Sequence, residues 1–423
     1  MKPVAPEKVG LSSARLSRIG PVMQRYVDQH KLAGIVTMIA RHGKVAHLER
    51  FGMMDLDTAK PMQFDTIFRI YSMTKPITSV ALMMLYEEGR FQLNDPVTRF
   101  LPEFKKVQVW VGEGPALPVP SAAEGSLSKE PALSLSKGEL ADPIREITIH
   151  DLLTHTAGLS YGVYEDTRVP VDKLYDQAGL FDGDITLEEM VRRIADLPLV
   201  HQPGQAWWYS VATDVVGYLV QVISGMPFDV FLEERILGPL GMEDTGFYVP
   251  AGKLDRLATL YGAAEDGGLK ELVNTSVVGD YTKPPRLLSG GGGLVSTASD
   301  YVRFSQMLLN GGELDGVRLL GRKTIELMTI NHLPDALIPI RMAPYDTMHG
   351  YGFGLGFRVL MDVAQSGTLG SEVVYRWGGW ASTIFFIDPK EELVALLLLQ
   401  CIPSGSYPID SEFQTLVYQA LVD

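Results

Sequence analysis

The feature that most constrains the fold is strand-forming sequence at both ends of the chain. Near the amino end, two β-rich runs flank a predicted turn at 41–43 within GIVTMIARHGKVAHLERFG, residues 34–52. Near the other end, VVYRWGGWASTIFFID (373–388) and ELVALLLLQC (392–401) are two further β-rich runs. The pattern between these ends is mostly helical. We therefore expect strands from both ends of the chain to share one sheet.

Helical periodicity, often with a recognisable start or stop signal, marks several segments. The predicted helices cover 11–30, 76–88, 186–197, 213–224, 299–309 and 408–422. This order of elements predicts an α/β (α+β) protein in which residues 1–75 and 290–423 form an α/β lobe. Residues 76–289 form an inserted, mainly helical lobe, and we expect a cleft at the junction of the two lobes.

The segment 111–140 differs in composition from the rest of the chain. It is rich in Pro, Ser, Gly, Ala and Leu, and it nearly repeats itself as SLSKEPA followed by SLSKGEL. Such a composition predicts a long irregular insertion at the surface of the helical lobe. The alternative is that the segment acts as a lid over the cleft.

Composition excludes several classes of ligand. The 51 acidic and 37 basic side chains give a formal net charge of −14, which repels phosphates and anionic lipids, so neither nucleic acid nor a membrane is an expected partner. The single cysteine, Cys401, and the lack of an HExxH motif argue against a metal site, and no cofactor is expected. His42 and His47, which flank the predicted turn, are expected to be exposed. The amino end lacks the apolar core of a secretory signal, so we expect a cytoplasmic enzyme.

The hexapeptide YSMTKP, residues 71–76, contains an SxxK pattern at the start of a predicted helix. Pro76 is tolerated in a first turn, and apolar residues then recur at helical spacing until Gly89. Residues three apart lie on one face of a helix, so Lys75 can bring its amine to the hydroxyl of Ser72. A serine nucleophile needs such a base, and the helix start offers backbone N–H groups to a developing oxyanion.

Three other serines compete with Ser72 as the candidate nucleophile. Ser126 and Ser134 also precede a lysine by three positions, but they fall within 111–140 and no amphipathic helix follows them. Ser160 lies in GLSYG, which fits the GxSxG pattern of α/β-hydrolases. That motif requires a strand before it and a helix after it, whereas a predicted helix precedes it here. These contexts favour Ser72.

Two more segments are candidates for completing a site around Ser72. Tyr209 directly precedes a predicted helix and could relay protons between the serine, Lys75 and a leaving group; the alternative is an aromatic core or cleft wall. In RWGGW, residues 376–380, two glycines between β-rich runs allow a ligand to approach the backbone closely. An N–H group there could share an oxyanion hole with that of Ser72, and a β-bulge without a ligand is the alternative.

Six blocks, in this order, resemble the family VIII carboxylesterases, serine hydrolases that are similar to class C β-lactamases and penicillin-binding proteins. The blocks are SMTK (72–75), LLTHTAGLSYG (152–162), PGQAWWYS (203–210), ILGPLGMEDTGF (236–247), SGGGGLVSTASD (289–300) and WGG (377–379). The resemblance covers nearly the whole chain apart from 111–140. It implies a β-lactamase/transpeptidase-like fold, with an antiparallel sheet flanked by helices and an inserted helical lobe.

The resemblance also implies roles for individual residues. Ser72 would be the acylated nucleophile, Lys75 its general base and Tyr209 the residue that relays protons. The backbone N–H groups of Ser72 and Trp380 would form the oxyanion hole. The side chains or backbone expected to contact the substrate are those of Trp208, Val211, Trp377, Gly378 and Gly379.

Two departures from the β-lactamase pattern indicate the class of substrate. Val211 stands where β-lactamases have Asn, and Trp377 stands where they have a Lys that helps to hold the β-lactam carboxylate. Loss of that cation removes a charge-assisted hydrogen bond usually worth about 1.5–3 kcal/mol. An uncharged ester needs no cation, and an aromatic wall of Trp377 and Trp208 suits an apolar acyl or alcohol group.

The sequence therefore predicts a serine carboxylesterase that acts on short-chain or apolar carboxylic esters, so its partner is a small-molecule ester. One alternative keeps the fold and changes the substrate: a β-lactamase or a D-alanyl-D-alanine peptidase-like hydrolase, including as a weak side activity. The other alternative is a non-catalytic member of the fold that only binds a ligand.

Overall fold

A computed structural model of the protein describes residues 3–112, 139–162, 170–264, 268–272, 279–343 and 346–423. Within these ranges the α-helices α1 to α13 are, in chain order, Ser13–Leu16, Ile19–Asp28, Thr74–Glu87, Ile149–Leu153, Pro170–Gln177, Leu187–Ala195, Ala212–Ser224, Phe228–Leu232, Gly238–Leu240, Ala298–Leu309, Arg322–Met328, Val363–Ser366 and Ile409–Tyr418. Short 3-10 helices lie at Pro6–Val9, Tyr71–Met73, Val97–Arg99, Pro102–Lys106, Ala251–Arg256 and Asp335–Leu337, and Glu233–Leu237 is a turn of π-helix.

An eight-stranded antiparallel sheet is built from both ends of the chain, as the sequence predicted. Its strands β1 to β8 are Gly34–Arg41, Lys44–Asp55, Lys60–Pro61, Tyr351–Phe353, Arg358–Leu360, Tyr375–Gly378, Ile384–Asp388 and Leu393–Leu399. The spatial order is β4-β5-β6-β7-β8-β1-β2-β3. The central pair joins the two ends of the chain, with Ile35 opposite Leu399 and Arg41 opposite Leu393.

The central strands are buried on both faces, which explains why β8 is a continuous apolar run. Side chains alternate between the faces of a strand. Val394, Leu396 and Leu398 belong to the larger core cluster, whereas Leu393, Ala395, Leu397 and Leu399 belong to a second cluster on the opposite face. A strand covered on both sides needs no polar face, so its sequence loses the alternation seen in half-exposed strands.

Each face of the sheet is covered by different helices. The larger cluster includes apolar side chains of α3, α6, α7 and α10, so it joins the sheet to the helical region between its two halves. The second cluster includes Met23 of α2 and Phe413 of α13, which come from opposite ends of the chain. The sheet thus separates a face that carries the helical region from a face covered by the terminal helices.

Small antiparallel pairs of strands connect the remaining segments. They are Phe68–Arg69 with Val295–Ser296, Val109–Val111 with Glu139–Ala141, Glu313–Leu314 with Val317–Arg318, and Ile340–Ala343 with Asp346–Met348. Tyr261–Ala263 pairs with Leu269–Glu271 and runs parallel to Cys401–Ile402. The pair at 109–111 and 139–141 joins the two ends of the predicted insertion, and most of 111–140 lies outside the described residues.

Two local predictions were wrong for identifiable reasons. The single helix predicted over 11–30 is two helices, α1 and α2, and Pro21 in the first turn of α2 lacks the N–H that would continue the helical hydrogen bonds back to Ser17. His47 was expected to be exposed but is buried in β2, where its Nε2 lies 2.8 Å from Oγ1 of Thr37 on β1. Burial lowers the pKa of His47 to about 4.

Helices of the described residues are short by the standard of a bilayer. No single one of them combines the length and apolar composition needed to span a membrane. Only one pair of consecutive helical segments, Ala212–Ser224 and Phe228–Leu240, reaches that length and apolar composition together in the described ranges, and the two segments are bent by 83°.

Candidate active site

Ser72 lies in the 3-10 turn Tyr71–Met73 that leads directly into α3. The preceding residue, Tyr71, has φ of 41°, a left-handed conformation that costs a non-glycine residue on the order of 1–3 kcal/mol. The Tyr71 ring is buried and meets the ring of Trp380 edge-on at 5.8 Å. This packing fixes the strained turn, and Ser72 lines the cleft at the start of the helix.

Lys75 is one helical turn further on and is almost completely buried, with 1% of its surface exposed. Its Nζ lies 3.1 Å from Oγ of Ser72, 2.8 Å from the hydroxyl of Tyr161 and 2.7 Å from the carbonyl oxygen of Gly291. The rings of Tyr161 and Tyr209 lie beside the amine, with centroids 5.3 and 4.7 Å from Nζ. Three oxygen atoms and two aromatic rings therefore surround the amine and place it beside the serine.

Tyr209 reaches the same serine from the helical region. It lies two residues before Val211, the N-cap of α7, and its hydroxyl donates a hydrogen bond of 2.7 Å to Oγ of Ser72. The rings of Tyr161 and Trp377 pack against its ring at 5.2 and 5.4 Å. The structure thus brings Ser72, Lys75 and Tyr209 together on one oxygen atom.

A buried histidine lies behind Tyr209. The ring centroids of His155 and Tyr209 are 5.0 Å apart, and Nδ1 of His155 is 3.4 Å from Oγ of Ser210. Burial holds the pKa of His155 well below its usual value. The imidazole is therefore neutral at ordinary pH, and it adds no charge beside Lys75.

The segment Trp377–Trp380 forms the opposite wall of the cleft. In the described part of the chain, Trp377 and Gly378 pair only with β7, because the pairing of β5 with β6 ends at Arg376. A Cβ added to Gly379 would overlap the carbonyl oxygen of Ile70, so only glycine allows this close approach to the turn that carries Ser72. An open strand edge thus lies next to the serine, where a ligand can approach the backbone closely.

The cleft has a volume of about 1340 Å³ and is rich in aromatic side chains. Trp377, Gly378, Gly379 and Trp380 all line it together with Ser72. The other aromatic side chains in its lining are Tyr71, Tyr161, Tyr175, Phe181, Tyr209, Phe247, Tyr281 and Tyr407. Within the described ranges, no group of three or more His, Cys, Asp or Glu side chains could hold a metal ion.

Neither Val211 nor Trp208, two of the predicted substrate contacts, belongs to the cleft lining of the described residues. Val211 is fully buried in the larger core cluster, because the chain turns into α7 at this residue and directs the side chain inward. Trp208 lies outside the cleft lining, and its indole Nε1 donates a hydrogen bond of 3.3 Å to Oγ of Ser160. Of the predicted aromatic wall, Trp377 therefore lines the cleft and Trp208 does not.

The rival serine Ser160 has no access to solvent. Its Oγ donates a hydrogen bond to Oδ1 of the buried Asp172, and it accepts one from the N–H of Gly162 and one from Trp208. A hydroxyl that is enclosed and bonded in this way holds its loop and does not attack a substrate. The other rivals, Ser126 and Ser134, lie outside the described residues.

Sequence reasoning missed three residues that surround Lys75. Tyr161 belongs to the GLSYG motif, a pattern that indicates a role only for its serine. Gly291 belongs to the run of glycines at 290–293, a signal of close backbone approach that was not connected with Lys75. Asp214 hydrogen-bonds to the N–H of Gly291, and no motif in the sequence distinguishes it from other acidic residues.

The chain is similar over nearly its full length to known proteins. A family model described as Beta-lactamase matches residues 21–419. Protein Rv1367c of Mycobacterium tuberculosis is 39% identical over 384 residues, which cover 90% of this chain and 88% of that protein. Esterase EstB of Burkholderia gladioli is 30% identical over 435 residues, covering 98% of both.

A solved structure is also similar to this chain over nearly its full length. EstCE1, described as a hydrolase with promiscuous acyltransferase activity, superposes with a TM-score of 0.77 at 27% identity. The match covers 96% of this chain and 99% of that chain.

Proposed function

The chain belongs to the beta-lactamase family, and from that membership we propose that it works as a serine carboxylesterase with an acyl-enzyme on Ser72. The predicted β-lactamase/transpeptidase-like fold is confirmed. The chain is a carboxylic ester hydrolase, as its similarity to Esterase EstB and to the hydrolase EstCE1 supports, and it resembles the family VIII esterases. Its proposed substrates are small esters with short or apolar groups.

The observation that carries this proposal is the meeting of two proton-transfer groups on one hydroxyl. Nζ of Lys75 is 3.1 Å and the hydroxyl of Tyr209 is 2.7 Å from Oγ of Ser72. Both distances lie within the reach required of a general acid or base. A serine that only stabilised the fold would have no need of a buried amine and a phenol at the rim of a cleft.

The proposed mechanism has two steps. Ser72 attacks the ester carbonyl while the neutral amine of Lys75 takes its proton, and the oxyanion is bound by the N–H groups of Ser72 and Trp380. Tyr209 then delivers a proton to the departing alcohol. Water enters, is activated by the same Lys75 and Tyr209 pair, and releases the acid from the acyl-enzyme.

The cleft favours an ester over a β-lactam. Trp377 has only 5% of its surface exposed and packs between Tyr209 and Phe353, with ring centroids 5.4 and 5.3 Å away. An indole therefore fills the position at which a β-lactamase would hold a carboxylate. Val211, buried in the core, offers no polar group to a substrate amide. Measuring p-nitrophenyl butyrate and nitrocefin hydrolysis on one preparation separates the two activities, and we expect the ester to be preferred.

Labelling tests the proposed nucleophile directly. A fluorophosphonate that reacts with activated serines should add one adduct to the intact mass, and peptide mapping should place the adduct on Ser72. Ser72→Ala should lose both labelling and ester hydrolysis. Ser126→Ala and Ser134→Ala are matched controls, because each removes a serine from the same SxxK pattern, and both should keep activity. Full activity in Ser72→Ala would exclude the mechanism, and failure to label the unmodified protein would favour a non-catalytic, ligand-binding protein.

A further inference from the structure

Asp214 is a fully buried carboxyl group on α7, in the same segment as Tyr209. Its Oδ1 accepts a hydrogen bond of 2.5 Å from Oγ of Ser289 and one of 3.0 Å from the N–H of Gly291. Its Oδ2 has no hydrogen-bond partner in the described part of the chain. A buried carboxyl of this kind is costly, so its position calls for a physical explanation.

Both oxygen atoms of the Asp214 carboxyl group lie close to Gly291. Oδ1 binds the N–H of Gly291, and Oδ2 lies 2.5 Å from the point at which a Cβ would stand on that residue. The hydroxyl of Tyr161 lies 3.1 Å from the same point. Gly291 is therefore bound by Asp214 and lies close to Tyr161, in a space that admits no side chain.

The residue held in this way binds the amine of Lys75. The carbonyl oxygen of Gly291 is 2.7 Å from Nζ, and the hydroxyl of Tyr161 is 2.8 Å from it. A neutral amine has two N–H groups and one lone pair. When Gly291 and Tyr161 accept the two N–H groups, the lone pair is directed at the remaining neighbour, Oγ of Ser72 at 3.1 Å. This is the orientation that a base needs to take the serine proton.

We propose that Asp214 is a positioning residue that aims the lone pair of Lys75 at Ser72 by fixing Gly291. This inference rests on the proposed function, because it assigns Asp214 a role in the same acylation step. Burial raises the pKa of the Asp214 carboxyl, while its hydrogen bonds to Ser289 and Gly291 oppose that shift. Its contribution is to the geometry of the base, since it does not touch the serine.

Replacing Asp214 with Ala and with Asn separates the hydrogen bonds from the mere presence of a side chain. Asp214→Ala removes both bonds, and we expect Ser72 acylation to slow by about 10²-fold with KM nearly unchanged, because misplacement of a catalytic group by about 1 Å can cost that much. Asp214→Asn keeps an oxygen that accepts from Ser289 and Gly291, so it should recover most of that loss.

Asp388, the last residue of β7, provides a matched control. It is also fully buried, and it accepts hydrogen bonds from the hydroxyl of Tyr418 and the N–H groups of Lys390 and Glu391. Asp388→Asn changes a carboxyl in a comparable environment that has no contact with Lys75. Its acylation rate should equal that of the unmodified protein. A loss equal to that of Asp214→Ala would show that burial alone explains the effect and would overturn the proposal.

The readout is the rate at which the fluorophosphonate labels Ser72, together with the burst of p-nitrophenol from p-nitrophenyl butyrate. Asp214→Ala that acylates at the unmodified rate overturns the inference, as does an equal loss in Asp214→Asn. If circular dichroism shows that Asp214→Ala does not fold, Ser289→Ala decides instead. A fall of about fivefold or more in its acylation rate supports the proposed role of Asp214, and an unchanged rate overturns it. Failure of the unmodified protein to label would instead remove the proposed function itself.

Discussion

Acid should destabilise the folded protein through His47, and the structure gives the size of the effect. His47 lies on β2 with 6% of its surface exposed, and its Nε2 contacts Oγ1 of Thr37. Burial lowers its pKa from the usual 6.5 to about 4. The unfolded chain therefore binds more protons than the folded chain between these values, and stability that is present above pH 6.5 is lost as the pH falls through 4.

The magnitude follows from the difference of about 2.5 pKa units, which corresponds to about 3.4 kcal/mol when the loss is complete. About 2 kcal/mol of this is already lost at pH 5. The buried His155 and the half-buried His150, His201 and His332 also have pKa values lowered by burial, so the whole protein should lose more than this amount. These four histidines remain in a His47 variant, so their contributions cancel when the variant is compared with the unmodified protein.

The assay is urea unfolding at pH 7 and pH 5, followed by tryptophan fluorescence. In His47→Gln the loss of unfolding free energy between the two pH values should be smaller by about 2 kcal/mol than in the unmodified protein. His349→Gln, the same substitution at an exposed histidine, is the control variant. If His47→Gln and the unmodified protein lose the same free energy between pH 7 and pH 5, the reasoning from burial is refuted.

Three further predictions concern the cleft and its supports. Tyr209→Phe should slow hydrolysis of p-nitrophenyl butyrate by about 10²-fold or more, with the fold unchanged by circular dichroism, and a rate within threefold of normal would contradict its proton-transfer role. Gly379→Ala should lose activity because the added Cβ overlaps Ile70, whereas at Gly378 the nearest atom would lie 3.1 Å away, so Gly378→Ala should retain clearly more of the initial rate. Ser160→Ala should keep the esterase activity of the folded protein but unfold at lower urea concentration, with a loss of about 1–3 kcal/mol because a buried hydrogen bond to Asp172 is removed. Loss of activity without loss of stability in Ser160→Ala would instead support Ser160 as a nucleophile.

The sequence predicted those features that arise from neighbouring residues. The SxxK spacing and the helix that follows it placed Lys75 one turn from Ser72, and the apolar runs at 34–52 and 373–401 predicted a sheet shared by both ends of the chain. Such signals are local, because the periodicity of an element is written in consecutive residues. The position of Ser72 at the cleft could therefore be inferred without knowing the tertiary structure.

The contacts that hold the amine could not be predicted in this way. Tyr161 and Gly291 are 86 and 216 residues from Lys75, and Asp214 acts through Gly291 across 77 residues. No spacing rule connects residues at such separations. The inward direction of the Val211 side chain could not be predicted for a related reason. A motif position near Tyr209 does not reveal which way a side chain points once the chain enters a helix.

Strand β8 also limits how this chain can change during evolution. Because its alternate side chains serve two different cores, inserting or deleting one residue would exchange every leucine between them and spoil the packing on both sides at once. Length changes should therefore accumulate elsewhere among the homologues, for example at the turn between β1 and β2, where neither core is disturbed. The middle of the sheet can accept substitutions but has almost no freedom to accept indels.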